Sequence, residues 1–316
     1  MTPATPPHLR TLATYAILLA TAVATPYPGA AQTDWDAVEI ETIPVAEGVY
    51  MLVGRGGNIG VSVGEDGAFV IDDQYAPLTD KILAAIGALT GEGAEPTIPF
   101  VINTHWHGDH VGGNEAMGET GAVLVAHENV RERMAVDQVL ERLGERTTVA
   151  ASPEGALPVV TFTEEVSFHL NGDELRVVHV PRAHTDGDAI IHFTGADVVH
   201  MGDTYFASGY PFIDTSSGGS IDGVLDAVGR GLAMMDADTR VIPGHGPLST
   251  RADLQEYGEM LRTVRDRVAE AKGAGHSLEE VLEMGLSAEW DEEWGGGFID
   301  PGAFVTSIYT SLSPGS

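Results

Sequence analysis

The sequence predicts an α+β protein of two similar halves, with two sheets facing each other and helices outside. Three observations predict it. Short strand-like runs and helical periods alternate twice, in the order β-rich, helix, β-rich, helix. Gly/Asp clusters part the strand-like runs. Hydrophobic residues make up 43% of the chain, enough for a sizeable core and too many for a disordered chain.

In the first half, "VYMLV" (49–53), "IGVSV" (59–63) and "AFVID" (68–72) are β-rich, and "GRGGN" and "GEDG" between them are turn signals. A meander of hairpins follows from that spacing. Leu78, Ile82, Leu83, Ile86 and Leu89 recur at helical spacing. "PFVIN" (99–103) and "AVLVA" (122–126) read as buried strands, and 128–142 reads as a polar helical segment. "ASPEGALP" (151–158) is the Pro/Gly connection between the halves. In the second half, "VSFHL", "LRVVHV", "AIIHF" and "DVVHM" are strands, 221–235 a helix and "RVIP" a strand. Leu254, Tyr257, Leu261, Val264 and Val268 line one face of a long helix, and Ser277 with Glu280 forms a capping box for another. Trp290, Trp294, Phe298 and Phe304 are expected to cover one sheet.

The N-terminus reads as an export signal over 1–31, leaving a domain at 32–316. His8 and Arg10 form the n-region, "TLATYAILLATAVA" the apolar region, and "GAAQ" a cleavage point after Ala31. The run is short and threonine-rich for a membrane span, so no span is expected after cleavage. A periplasmic or secreted location follows. The net charge of −31 comes from 47 acidic groups against 16 basic ones. A field of that sign repels nucleic acid and anionic membranes, leaving a small molecule as the expected partner. Cysteine is absent, which excludes disulfides, thiolate-held zinc and a cysteine nucleophile. Composition carries no reading of oligomeric state.

"NTHWHGDHVGGN" (103–114) crowds His105, His107, Asp109 and His110 into six positions directly after a strand. His105 and His107 are two apart and share a face in extended chain, while Asp109 and His110 follow a turn at Gly108. A short loop can thus offer two pairs of donors to two adjacent points. A polar loop with accidental histidines would need no partners elsewhere. Here His184, Asp203 and His245 repeat the same syntax, a ligand-type residue in a glycine-containing loop after a strand. His169, His179, His192 and His200 lie within strands and read as packing residues, and His127 begins a helical segment.

With H-x-H-x-D-H at 105–110 and the later His, Asp and His in order, the chain resembles the metallo-β-lactamase superfamily from about Val45 to Leu248. The segments "HTDGD" and "GDTYF…YPFID" are similar to those of a group of exported bacterial hydrolases. The resemblance implies a four-layer αβ/βα sandwich. It implies one ion held by His105, His107 and His184, another by Asp109, His110 and His245, and Asp203 bridging them. Asp72 would orient a loop histidine, a role its neighbour Asp73 could take instead. Imidazole at both early positions favours two zinc ions, with iron or manganese as alternatives. Asp203 is similar to the residue in glyoxalase II, lactonases and phosphodiesterases, where dedicated β-lactamases have Cys or Ser.

The expected activity is metal-dependent hydrolysis of a small ester, lactam or lactone, or phosphodiester by a zinc-bridging hydroxide. Two alternatives stand beside it: a periplasmic β-lactamase, and a non-catalytic metal-binding module. Asp109 is also expected to orient the attacking water or relay a proton. Tyr210 is expected to donate to an oxyanion. The hairpin tip at 54–60 would overhang the metals, with Asn58 expected to bind substrate, and Tyr205 and Phe206 would line a substrate wall. "SSGGS" (216–220) reads as a flexible loop, and alternation points Trp106 away from the metals.

Overall fold

Period-two burial decides how the strands face, and it splits the core into layers. In the computed structural model, which describes residues 1, 33–93, 95–142 and 144–312, Met1–Asp34 and Trp35–Ser316 are separate units. The expected signal run lies outside the described residues. No described helix is long and apolar enough to cross a membrane.

The first sheet begins as a meander of β1 (Glu41–Ala46), β2 (Val49–Val53), β3 (Ile59–Gly64) and β4 (Gly67–Ile71). Helix α1 (Thr79–Thr90) crosses to β5 (Phe100–Ile102), parallel to β4. Two short helices, α2 (Gly108–Val111) and α3 (Asn114–Glu119), lead to β6 (Val123–His127), parallel to β5. After α4 (Glu128–Met134) comes a separate hairpin, β7 (Gln138–Arg142) and β8 (Glu145–Val149). Strand β9 (Val160–Phe162) then pairs with β6 and completes seven strands.

The second sheet repeats the plan. Strands β10 (Glu165–Leu170), β11 (Asp173–His179), β12 (Ala189–Phe193) and β13 (Val198–His200) form a meander. Helix α5 (Ile221–Ala233) crosses to β14 (Arg240–Ile242), parallel to β13, with β15 (Ser249–Thr250) at the edge. The long α6 (Arg251–Gly273), then α7 (Leu278–Glu283), α8 (Asp291–Trp294) and α9 (Pro301–Ser311) close the chain.

Met51, Phe69 and Ile71 face Val177, Ile191 and Phe193 between the sheets. Their alternates Leu52, Ala68 and Val70 face α1 on the other side, with Ile82 and Ile86. Outside the second sheet, Val199 and Val241 pack against Val224 of α5 and Leu254 and Leu261 of α6. The layers are therefore helix, sheet, sheet, helix, the αβ/βα sandwich.

Several expectations are corrected. Residues 128–142 are not one helix, because α4 stops at Met134 and Gln138–Arg142 pairs as a strand. Strands β1 and β9 went unread, being exposed or short at the sheet edges. The halves part after Phe162, not within 151–158. Trp294 and Phe304 are buried against the second sheet's helical layer, but Phe298 is 58% exposed. His169 is exposed on β10 rather than packed. The 216–220 stretch is a fixed turn: Ser217 N–H donates to Asp214, and Ser220 caps α5.

Candidate metal centre

The donors converge at one end of the two sheets, each from a loop that follows a strand or, for His184, joins β11 to β12. Three groups have ligand atoms within 4.8 Å of one another: His105, His107 and His184; His105, His110 and Asp203; and Asp109, His110 and His245. Asp203 lies in the middle. Its carboxylate oxygens are 3.9 Å from His105 Nε2, 3.1 Å from His110 Nε2, 3.6 Å from His184 Nε2 and 3.4 Å from His245 Nε2. His107 Nδ1 sits 2.8 Å from His184 Nε2, and Asp109 Oδ2 is 3.3 Å from His245 Nε2. The structure thus brings together all seven residues expected as ligands.

Glycine lets the loops approach this closely. A Cβ at Gly57 would overlap the His110 ring, and one at Gly244 would overlap the Asp203 carboxylate. The hairpin tip is tied down as well, since Gly57 N–H donates to Asp109 O at 3.1 Å and Asn58 N–H to Gly244 O at 2.7 Å.

Four of the five imidazoles, those of His105, His107, His110 and His184, are aimed by an acceptor at the outer nitrogen. Asp72 accepts from Thr104 N–H (2.7 Å), Thr104 Oγ1 (2.7 Å) and His110 Nδ1 (2.7 Å). Because Thr104 Oγ1 donates to Asp72, it accepts from His105 Nδ1 at 3.0 Å. His184 Nδ1 donates to Phe212 O at 2.6 Å, and His107 Nε2 to Asp214 Oδ2 at 3.0 Å. In each ring the remaining nitrogen faces the centre, where its lone pair is available once that nitrogen is deprotonated. His105 Nε2 is buried and has no hydrogen-bond partner, an atom with a lone pair and nothing to accept. That orphan, with carboxylate and imidazole donors from four loop segments, is the chemistry of a metal site. Asp72 adopts φ +62°, a conformation costing a non-glycine residue on the order of 1 kcal/mol.

The charges follow the geometry. Burial and the neighbouring His110 hold His105 well below the usual histidine range, and burial with His107 takes His184 down to about 4. Burial opposes protonation of His110 too, but Asp203, Asp109 and Asp72 outweigh it and raise the ring. His245 rises to about 9 for the same reason, burial being overcome by Asp203 and Asp109. Burial would raise Asp109, yet His110 and His245 bring it down to about 2.

Among the other expected site residues, Phe206 lines the cleft over the centre and stacks on His245, 5.2 Å between centroids at 17°. Three expectations are corrected. The buried Asn58 amide donates to Pro243 O and Gly246 O, both at 2.9 Å, so it pins the hairpin tip to the His245 loop and has no free donor for substrate. Tyr205 is core, its hydroxyl donating to Ser249 Oγ at 3.2 Å and its ring against Tyr257. The Tyr210 hydroxyl donates to Asp291 Oδ1 at 2.8 Å, and its ring stacks on Phe304, so it is not an oxyanion donor. Trp106 packs on Val111, Ala126 and Val130. Asp73 accepts from Gly113 N–H and leaves the histidine to Asp72. Asp214 went unread. Its only signal was an aspartate after "YPFI", and its partner lies 107 residues away.

The site is an imidazole–carboxylate cluster with the donor set of a metal centre, on an αβ/βα sandwich. A model of the metallo-beta-lactamase superfamily matches residues 52–245, and the chain belongs to that superfamily. It is similar to the hydroxyacylglutathione hydrolase of Erythrobacter litoralis, 32% identical over 114 residues, 36% of this chain and 36% of that protein. The namesake from Methylococcus capsulatus is 27% identical over 212 residues, 66% of each chain. The chain thus matches about a third to two thirds of these relatives' length. Among solved structures, a metallo-beta-lactamase from Pontibacter korlensis superposes with TM-score 0.56 at 19% identity, covering 71% of this chain and 99% of that one. The inverting sec-alkylsulfatase Pisa1 from Pseudomonas sp. superposes with TM-score 0.65 at 16% identity, covering 88% of this chain and 51% of that one. These two likenesses concern the fold.

Proposed function

We propose that this chain is a hydrolase of a small ester, thioester or lactone that works with two zinc ions. The observation that carries the reading is Asp203, one carboxylate within 3.9 Å of four histidines from three separate segments of the chain. His105, His107 and His184 would hold one ion, Asp109, His110 and His245 the other, with Asp203 shared. When bound, such ions supply an activated water near neutral pH and polarise the substrate oxygen. The chain supplies orientation. Asp72, Asp214, Thr104 and the Phe212 carbonyl fix four imidazole rings before any substrate arrives. Asp109, 24% exposed and facing the cleft, has a second oxygen to position a water or take its proton. The acyl substrates are supported by the relatives named hydroxyacylglutathione hydrolase. Export to the periplasm or beyond, with 1–31 removed and 32–316 as the working domain, is supported by the N-terminal apolar run and its small-residue cleavage point.

The test is metal analysis of the purified full chain, with hydrolysis assays on an acylglutathione thioester, a lactone panel, bis(p-nitrophenyl) phosphate and nitrocefin. Chelator-sensitive turnover of the thioester or a lactone is expected. Bound metal without turnover of any of them would favour a metal-binding module. Turnover of nitrocefin above the rest would favour a β-lactamase.

A further inference from the structure

The cleft over the metal centre, about 590 Å³, has two unlike ends. At the His107 end, Phe212 stacks on His107 at 5.8 Å and meets Phe298 edge-on at 6.4 Å. Phe298 is 58% exposed in a chain that buries Phe69, Phe193 and Phe304 completely. Leu140 and Val149 of the β7–β8 hairpin also line the cleft, so its apolar surface comes from separate segments of the chain.

At the Asp109 end, the β2–β3 hairpin tip closes over the site. Gly57 is bonded to the Asp109 carbonyl, and Gly56 lies against the same backbone. Arg55 comes immediately before them. Its backbone N–H donates to Gln74 Oε1 at 3.2 Å, which fixes where the side chain starts. It is exposed, and it supplies the one Lys or Arg side chain among the residues lining this cleft. No carboxylate of the described residues pairs with its guanidinium. With 47 acidic groups against 16 basic ones, the surface repels small anions in general. An unpaired arginine beside the reacting centre reverses that locally, and its planar fork matches a carboxylate or sulfonate.

We propose that Arg55 sets specificity, and that the substrate is a small amphiphilic anion. Its hydrolysable bond lies at the metal centre, its apolar part against Phe212, Phe298 and the β7–β8 hairpin, and its anionic group on Arg55. The proposal rests on the hydrolase reading above for the reacting bond, but the selectivity of the cleft is measurable without turnover.

The experiment is calorimetric titration of the metal-loaded full chain with two probes sharing one apolar body. Phenylpropanesulfonate is anionic and a poor ligand for divalent ions; phenylpropyl methyl sulfone is its neutral counterpart. The wild-type chain is expected to bind the sulfonate about five-fold more tightly than the sulfone, the upper range for an exposed ion pair. Arg55→Gln is expected to abolish that preference and leave sulfone binding unchanged. Phe298→Ala is expected to weaken both probes alike. Equal binding of the two probes by the wild-type chain, a preference that survives Arg55→Gln, or binding of neither probe at millimolar concentration would each overturn the proposal. Failure of the hydrolase reading looks different: no chelator-sensitive turnover of any test substrate, with the preference for the sulfonate intact.

Discussion

The two ends of the metal centre are built from different materials. His105, His107 and His184 are all imidazole and all buried, whereas Asp109, His110 and His245 include a carboxylate and two partly exposed members. Two rings of the buried end are held low, His105 by burial and the neighbouring His110, and His184 by burial and His107. The cleft end keeps protons, because Asp203 and Asp109 raise His110 and His245 against burial. A ligand nitrogen must be deprotonated to hold a metal. The buried end is therefore ready as folded, and the cleft end must give up protons first. The difference teaches that one cluster can combine a firmly held structural pole with a pole that exchanges with solvent and substrate.

The largest expected effect comes from removing what the two ends share. Asp203→Ala should cut chelator-sensitive hydrolysis by on the order of a hundred-fold or more. A variant with near wild-type turnover would mean that the ends act independently. The next test separates them. Asp72→Asn strikes the cleft end through His110, and Asp214→Asn the buried end through His107. Each should weaken one of two metal-binding steps by about ten- to a hundred-fold, measured by competition with a chromophoric chelator. Asp72→Asn should cost more, since that carboxylate also holds Thr104 N–H and Oγ1. If both variants weaken the same step, the division into two poles fails.

Acidity should sharpen the contrast. His245 is raised to about 9, so protons compete for it throughout the neutral range, and affinity at the cleft end should fall steadily as pH drops below that value. His184 is lowered to about 4, so affinity at the buried end should hold until the medium approaches that value. Metal retention followed across a pH series would show two separate losses. The smallest effect belongs to Phe206, whose ring stacks on His245 at 5.2 Å. Phe206→Leu should loosen the cleft-end ion by about three-fold, consistent with an aromatic contact worth about 0.5–1.5 kcal/mol, and leave the other end unchanged.

The seven donors were legible because the chemistry demands particular residue types, and because each sits in a glycine-containing loop after a strand. Asp72 was legible only through its place at the end of "AFVID". Asp214 was not, because its partner His107 is close in space and far in sequence. Asn58, Tyr205 and Tyr210 look like substrate groups in a string of letters. Their polar atoms turn out to be spent on Pro243, Ser249 and Asp291, commitments that depend on tertiary packing. The sheets themselves were mostly legible from alternation. The β7–β8 hairpin was not, because "QVLER" and "ERTTV" carry too little apolar alternation to stand apart from a polar helix. That hairpin forms one wall of the cleft, so the same gap hid the substrate side of the site.

The central claim is that seven residues from both halves of the chain form one centre for two ions. Metal content of the purified full chain, loaded with zinc, freed of excess and measured by plasma mass spectrometry, tests it most directly. Two ions per chain are predicted, falling to one or none in Asp203→Ala. A wild-type chain that holds a single ion or none, or an Asp203→Ala chain that still holds two, would contradict it.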